Sequence, residues 1–536
     1  MTNLRPQLYY PFKKISPASI SKQFHFSRVS EKRNEIDRDL ILEVLSTVPS
    51  PREVKSYIKR FTVPPIKVSR PPPPPLPSSP SLKPEKQVQQ QQIQQELKEK
   101  FIDELFSTRI EHVALIKIQG PFTPLDLKYV AKTLVHSQKL GMMLIAILDN
   151  DEWKEMLKEG PLKFIELKKK MMEEAAKISE AIENVGGRST PIYDGIFTLT
   201  KKNDINNYKN DALIGRTLPT DAGAKINVSL NSPKSCINLG QIPLILPIAL
   251  DGLLIQRTIS ANSGMIELSR AISNSNLINF KTPQVVSQVE LTKIIVINSE
   301  GGIPSEERRG SHVFINIQQE YESIKQSYKV NPQWKITHPT GFENLKMIKS
   351  CLENLPSTAS AIMVPAYSPT VLISNLIKDK PVFSSSLPLN ASITPSTTTT
   401  VLRHGFPVYF HDSLNTINVK AFQSLIESSF GKKLNFEKYF ERLKNCLKHV
   451  IVVGDYQGIA VITMEDIEGN NEKEKVIYLD KFSVTPKAQG VGVADILWKQ
   501  MQIRYPNLMW RSRNDNNIGW KYASSRNKLD DILVWK

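Results

Sequence analysis

The chain of 536 residues can hold two or three domains, each with a core of its own. With 40% hydrophobic and 23% charged residues its composition is globular, and no apolar run reaches the length of a membrane span. A net charge of +17 asks for an anionic partner, but Lys and Arg form no stripe interleaved with aromatics and no nucleic-acid motif is present, so an acidic ligand and a basic leader account for it more simply.

Residues 1–30 carry Arg5, Lys13, Lys14, Lys22 and Arg28 and no acid, with frequent serines and a stretch from Ala18 able to form a short basic amphipathic helix. That is the make-up of a mitochondrial transit peptide, and acids begin abruptly at Glu31. Residues 31–66 read as a short helical segment, with helices at Arg38–Ser46 and Arg52–Arg60. Residues 67–100 hold Arg70-Pro-Pro-Pro-Pro-Pro-Leu-Pro and a Gln-rich run, which bury too little apolar surface to fold and form an extended linker.

From Phe101 the texture changes. Val113–Ile118 is a buried-type strand, Thr123 and Pro124 begin a helix reaching Gln138, and Met142–Leu148 is a second strand. This βαβ unit implies a parallel sheet. A charged helix spans Pro161–Val185 and stops at Gly186-Gly187. Further strands are expected at Ile192–Leu199, Lys225–Leu230, Leu244–Ile248, Lys293–Asn298, His312–Ile317 and Ala361–Pro365, with a helix at Thr370–Ile377. Residues 101–395 thus form one α/β domain. The cysteines, Cys236, Cys351 and Cys446, show no metal spacing and read as reduced, buried thiols; no metal is expected.

The Ser/Thr/Pro tract Ser392–Thr400 marks a boundary, and 396–536 form the second domain. Its expected order is a helix at Val419–Phe430, the turn Gly431-Lys432-Lys433-Leu434, a helix at Phe436–Leu447, a hairpin of His449–Val453 with Gly458–Met464, and a polar loop at 469–475. Then comes the strand Tyr478–Val484, the string Thr485-Pro-Lys-Ala-Gln489-Gly490-Val491-Gly492-Val493-Ala494, and a helix at Asp495–Met501. Strand, glycine turn and helix N-terminus make an anion-binding device, because free N–H groups and the helix dipole favour negative charge. A plain packing turn is the alternative. Trp510-Arg511-Ser512-Arg513 follows on the next strand and brings two guanidiniums suited to carboxylate or phosphate. No Gly-Lys-Ser/Thr ends the turn and no third Rossmann glycine follows.

Val484-x4-Gln489-Gly490-x-Gly492-x-Ala494 resembles the acetyl-CoA loop of the GNAT-type N-acetyltransferases. The first domain resembles the amino-acid-kinase fold of the acetylglutamate kinase family, a three-layer sandwich with a mainly parallel sheet. Lys117, in Ile116-Lys-Ile-Gln-Gly120, lies where that family has Lys-x-Gly-Gly. One glycine is replaced and the second phosphate loop is not recognisable, so a kinase-like domain without kinase activity is expected, with Lys117 in a strand-end salt bridge.

Taken together and in order, Ser429-Phe-Gly-Lys-Lys-Leu434, Tyr478-Leu-Asp-Lys-Phe-Ser-Val484, Gln489-Gly490-x-Gly492 and Trp510-Arg-Ser-Arg513 resemble the transferase domain of the N-acetylglutamate synthases, a GNAT domain with a mixed sheet flanked by helices. Ile297-Asn-Ser-Glu-Gly-Gly-Ile-Pro304, Ser311-His-Val-Phe-Ile-Asn316, Asn344-Leu-Lys-Met-Ile348 and Asn354-Leu-Pro356 resemble the fungal mitochondrial form. The resemblance implies acetyl transfer from acetyl-CoA to the α-amine of L-glutamate, opening arginine biosynthesis in the mitochondrial matrix. By matched motifs, Lys432, Lys481, Arg511, Arg513 and Asn516 line the glutamate site. Phe482, Val484, Gln489, Gly490, Val491, Gly492 and Ala494 hold the cosubstrate, and Tyr522 meets the leaving thiolate. It also raises arginine as feedback inhibitor, acetylglutamate kinase as partner and a homo-oligomer; neither nucleic acid nor membrane insertion is implied.

The segment Asn516-Asn-Ile-Gly-Trp-Lys-Tyr522-Ala523 lacks the family's proline, which keeps a second reading open: a regulatory or scaffold subunit with weak or no transferase activity. The base that deprotonates the amine is not named by the sequence. In a regular strand Asp480 faces away from Lys481, and a water chain is the alternative.

Overall fold

The computed structural model describes residues 108–158, 164–200, 225–274, 280–282, 285–306, 310–367, 398–468, 473–488, 492–505 and 507–511. The expected leader, the helices within 31–66, the Pro/Gln linker and the helix at Thr370–Ile377 lie outside these residues.

The first sheet is organised around β1 (Thr108–Gly120). Its side chains alternate: Ala114, Ile116 and Ile118 enter one apolar layer, Val113 and Leu115 the other. A strand covered on both faces needs helices on each side, which is what parallel crossovers provide. The chain supplies them as α1 (Pro124–Lys139), β2 (Met143–Asn150), α2 (Asp151–Lys158), α3 (Phe164–Asn184), β3 (Ser189–Ile192), β4 (Phe197–Thr200), β5 (Lys225–Val228), α4 (Asn231–Asn238), β6 (Ile242–Ile245), β7 (Ile248–Leu250), β8 (Gln256–Thr258), α5 (Ala261–Asn274), β9 (Phe280–Thr282), β10 (Val285–Asn298), β11 (Phe314–Asn316), α6 (Ile317–Val330), α7 (Gly341–Leu352), β12 (Ser360–Pro365) and β13 (Thr400–Arg403). The nine-stranded sheet runs β11-β13-β12-β10-β1-β2-β6-β3, with β9 on β10, and a separate four-stranded sheet runs β5-β4-β7-β8. Among the described residues of the large sheet only β12–β13 and β9–β10 pair antiparallel. The helix α1 starts as expected: Thr123 caps it, Pro124 follows, and Asp126 closes a capping box.

Several expected elements are corrected. Ile192–Leu199 is two strands in two sheets, because Gly195 turns the chain at φ 80° between them. Leu244–Ile248 is likewise divided: Pro247 has no N–H for a ladder, so β6 and β7 part company there. His312–Ile317 shortens to β11 because Ile317 already opens α6. The helices α2, α4, α5, α6 and α7 were not anticipated. Cys446 is half-buried, whereas Cys236 and Cys351 are buried.

β13 falls inside the second domain of the sequence reading, yet it pairs antiparallel with β12 and parallel with β11. The nine-stranded sheet therefore keeps residues 400–403, and the chain crosses at 404–407 to β14 (Val408–His411). There follow α8 (Val419–Phe430), α9 (Phe436–Cys446), β15 (Leu447–Val453), β16 (Gly458–Glu468), β17 (Lys473–Val484) and α10 (Val493–Arg504). The sheet order is β14-β15-β16-β17, antiparallel throughout. Val450, Val452, Ile459 and Val461 pack against Phe422, Leu425 and Leu443 of α8 and α9. Ile451, Val453, Ala460 and Ile462 face Val493, Leu497 and Met501 of α10. Each such fully buried Val, Leu, Ile, Phe or Met side chain contributes about 1.5–3 kcal/mol. Asn418 and Asn435 cap α8 and α9, and Gly431 ends α8 in the left-handed conformation at φ 63°. No described helix is long and apolar enough to cross a membrane.

Candidate active site

The site begins with an irregularity in β17. Val461 pairs with Lys481 but the next residue, Ile462, pairs with Leu479, so Asp480 is the extra residue of a β-bulge. Leu479 and Phe482 then face the α10 layer, while Asp480 and Lys481 both turn toward α9. The expectation that Asp480 and Lys481 face apart is overturned by this one inserted residue.

The Asp480 carboxylate, 6% exposed, gathers a polar cluster. It accepts from the Tyr439 hydroxyl at 2.5 Å, from Arg442 at 2.9 Å and from the Lys481 ammonium at 3.1 Å. Arg442 also reaches Glu465 at 2.5 Å, and the Lys481 ammonium stands 5.2 Å from the centre of the Tyr439 ring. Burial works to raise the Asp480 pKa, but Tyr439, Lys481 and Arg442 outweigh it and hold the carboxyl below its usual range. Tyr439 is pushed up by burial and by Asp480, so it remains a neutral donor. Sequence reasoning missed Tyr439 and Arg442. Their signal was an inward Tyr439/Leu443 stripe on α9 with an arginine one turn from the tyrosine.

Two further segments converge on β17. After Gly431 the turn carrying Lys432 is tied down by Leu434 N–H to Glu427 at 3.2 Å, and the Ser429 hydroxyl donates to the Val484 carbonyl at 3.3 Å. Lys432 itself is exposed. Past α10 the chain returns beside β17: Leu479 N–H donates to Met509 at 2.8 Å and Met509 N–H to Ile477 at 3.0 Å. The bridge Tyr478↔Met509 is parallel, which carries Arg511 along the edge of β17 toward Asp480 and Lys481. Among the described residues this pairing stops at Leu479. The β17 edge from Asp480 to Val484 therefore carries no described main-chain partner there.

Phe482 and Val484 are half-buried on this edge. The Phe482 ring meets Trp498 edge-on at 6.3 Å, and Trp498 meets Trp510 at 5.4 Å. Beyond them Gly492 stands at the N-cap of α10 with φ 91°, a left-handed conformation open to glycine. Ala494 is half-buried on the first turn. The structure thus assembles Lys481, Phe482, Val484, Gly492, Ala494 and Arg511 around one strand edge and one helix start. Gln489, Gly490, Val491, Arg513, Asn516 and Tyr522 lie outside the described residues.

In the first domain Lys117 is fully buried. Its ammonium donates to Asp149 at 2.8 Å, Asn262 at 2.7 Å and Asn344 at 2.8 Å, which uses its whole donor capacity. Asn344 donates on to Gln119 at 2.9 Å, and Gln119 to Asp151 at 2.9 Å. Burial would raise the Asp149 pKa, yet attraction from Lys117 and Lys154 holds it below the usual range.

A family model described as the N-acetyltransferase of N-acetylglutamate synthase matches residues 409–532. The chain is 31% identical over 554 residues to the mitochondrial amino-acid acetyltransferase of Coprinopsis cinerea, with 93% of this chain and 85% of that protein covered. It is 32% identical over 459 residues to the protein of the same description from Laccaria bicolor, with 79% and 77% covered. Among solved structures it is similar to an N-acetylglutamate synthase from Neisseria gonorrhoeae complexed with coenzyme A and N-acetyl-glutamate. That match has 12% identity and a TM-score of 0.45, and covers 77% of this chain and 87% of that one.

Proposed function

The chain belongs to the family of mitochondrial amino-acid acetyltransferases, and from that membership we propose how its residues carry out the transfer of acetyl from acetyl-CoA to the α-amine of L-glutamate, giving N-acetyl-L-glutamate and CoA. This is the first step of arginine biosynthesis. The observation that carries the assignment of roles is the bulge at Asp480, which sets an anchored ammonium beside a strand edge that no described residue pairs.

Acetyl-CoA takes the edge of β17. Phe482 and Val484 flank its pantetheine arm, and the turn of Gln489, Gly490, Val491, Gly492 and Ala494 receives its pyrophosphate at the start of α10. The fit is supported by the left-handed Gly492, where backbone rather than side chain meets the ligand. Glutamate lies on the cationic side. Lys481, Lys432 and Arg511, with Arg513 and Asn516 further along, hold its two carboxylates. Asp480 is engaged by Tyr439, Arg442 and Lys481, so its part is to fix Lys481 and not to accept the amine proton. The amine gives up its proton to a water chain and attacks the thioester carbonyl, a C–N bond forms, the C–S bond breaks, and Tyr522 protonates the leaving thiolate and is reprotonated from the same waters. Strand N–H groups polarise the carbonyl during attack.

The first domain is proposed as an amino-acid-kinase-like fold that transfers no phosphoryl group. The support is Lys117, whose ammonium has no donor left for a phosphate oxygen. Matrix location within the mitochondrion, arginine as effector, self-association and an acetylglutamate kinase partner belong to the same proposal.

The test is thioester consumption with acetyl-CoA and L-glutamate, with and without ATP. Glutamate-dependent CoA release that ignores ATP is expected. Release independent of glutamate, or none, would sink the reading and favour a scaffold.

A further inference from the structure

We infer that the first domain is part of the acetyl-CoA-binding apparatus of the second, with Phe314 and Glu320 as positioning residues for α10. The inference rests on the reading that the turn before α10 receives the pyrophosphate.

The helix α10 has two packed faces. Val493, Leu497 and Met501 lie on its own sheet. Gly492, Ile496 and Lys499 form a second stripe at helical spacing, and this one meets the nine-stranded domain. A β-carbon at Gly492 would stand 3.1 Å from Phe314 Cζ and 3.9 Å from Arg403 Cδ, so a buried aromatic ring lies against the start of α10. Ile496 is 3% exposed and belongs to the cluster that also holds Phe314 and Val401. One helical turn on, Lys499 forms an ion pair with Glu320 of α6, with both side chains largely covered. Glu320 is itself held: its other oxygen accepts from Asn316 N–H at 3.1 Å, and Asn316 donates to the Phe406 carbonyl at 3.1 Å. The crossing is stitched again where Gln318 N–H donates to the His404 carbonyl at 3.1 Å. Apolar side chains of both domains join in one cluster that includes Phe314, Val401, Ile451, Val493 and Ile496.

Gly492 offers backbone to the ligand and has no side chain to brace it. Binding must then meet the cost of ordering it, unless a neighbour holds it in place beforehand. Phe314 fills that neighbouring space from the other domain, and the Glu320–Lys499 pair fixes the rotation of α10 about its axis. Together they aim the helix start.

The experiment uses the full chain and the variants Phe314→Leu, Glu320→Gln, Lys499→Met and Gly490→Val. Acetyl-CoA affinity is read by calorimetry, and glutamate kinetics at saturating acetyl-CoA. The seam variants should each weaken acetyl-CoA roughly five- to tenfold, with glutamate KM unchanged. The exchange Glu320→Lys with Lys499→Glu should recover most of the loss, which a generally loosened fold would not do. If the seam variants lower the melting temperature yet bind acetyl-CoA like the parent while Gly490→Val does not, the inference is wrong and the site reading survives. If Gly490→Val also binds normally, the turn is not the pyrophosphate site and both fall.

Discussion

Replacing Asp480 by Asn removes one charge and keeps the side chain's shape. The carboxylate is 6% exposed and accepts from Tyr439, Arg442 and Lys481. A hydrogen bond to a charged group contributes about 1.5–3 kcal/mol. Arg442 retains Glu465 at 2.5 Å, and the amide oxygen still accepts one bond, so the loss should be nearer the value of a single bond. We expect about 2 kcal/mol of stability at neutral pH. The pH dependence supplies a second signature. Because the folded carboxyl is held below its ordinary value of 3.8, its stabilisation is complete above that value and disappears as pH falls through the folded pKa. The gap between parent and Asp480→Asn should thus be flat from about pH 8 to about pH 5 and close in acid below about pH 4. Urea denaturation across that range measures it. In catalysis the freed Lys481 should raise glutamate KM about tenfold while acetyl-CoA affinity holds. A variant as stable as the parent at pH 7, or one that loses acetyl-CoA and not glutamate, would refute the role given to Asp480.

Arg511→Ala should cost roughly tenfold to a hundredfold in glutamate kcat/KM, equivalent to about 1.5–3 kcal/mol, with acetyl-CoA binding intact by calorimetry. Loss of acetyl-CoA instead would assign the arginine to the cosubstrate. Lys117→Met removes the nearer cation from the buried Asp149 and leaves it only Lys154 at 3.9 Å, so it should destabilise the chain by about 3 kcal/mol in denaturant titration, whereas pairing it with Asp149→Leu should recover most of that. A fusion of residues 1–40 to a reporter should enter mitochondria, and cytosolic retention counts against the leader. A fragment starting at 396 carries β13, whose Val401 and Leu402 are buried in the whole chain, and should aggregate more than one starting at 406 in size-exclusion chromatography. Equal behaviour of the two would place the seam elsewhere.

What was legible followed from local chemistry. The Thr123-Pro124 start, the buried runs of β1 and β2, the Gly431 stop, the strand that ends at Val484 and the helix that follows Gly492 all depend on neighbours in sequence, and each appears where expected. What was not legible depended on partners far along the chain. No local pattern tells that Leu244 and Ile248 serve different sheets, or that Lys117 would find Asn262 and Asn344 across more than a hundred residues. The bulge at Asp480 is the clearest instance. Period-two reasoning assigns Lys481 to the face of Leu479, and a single unpaired residue moves it to the other side. That Lys481 stands on this strand was readable, but which face carried it was not.

The domain seam has the same origin. The Ser/Thr/Pro tract at 392–400 suggests a boundary by composition, but hydrogen bonding decides it: Thr400–Arg403 completes the first sheet between β11 and β12. Only residues 404–407 then remain to reach β14, and from Arg403 to Val408 an extended chain spans at most about 18 Å. A tether that short keeps the second sheet against the end of the first. It also explains why polar groups at the crossing bond across it, as Gln318 does to His404 and Asn316 to Phe406. Once β14 is held there, the α10 layer of its sheet faces β11 and α6. The contact of Phe314 with Gly492 and the pairing of Glu320 with Lys499 are thus consequences of where β13 ends. A late strand joining the first sheet is what brings a buried aromatic ring of one domain against Gly492 at the helix start of the other.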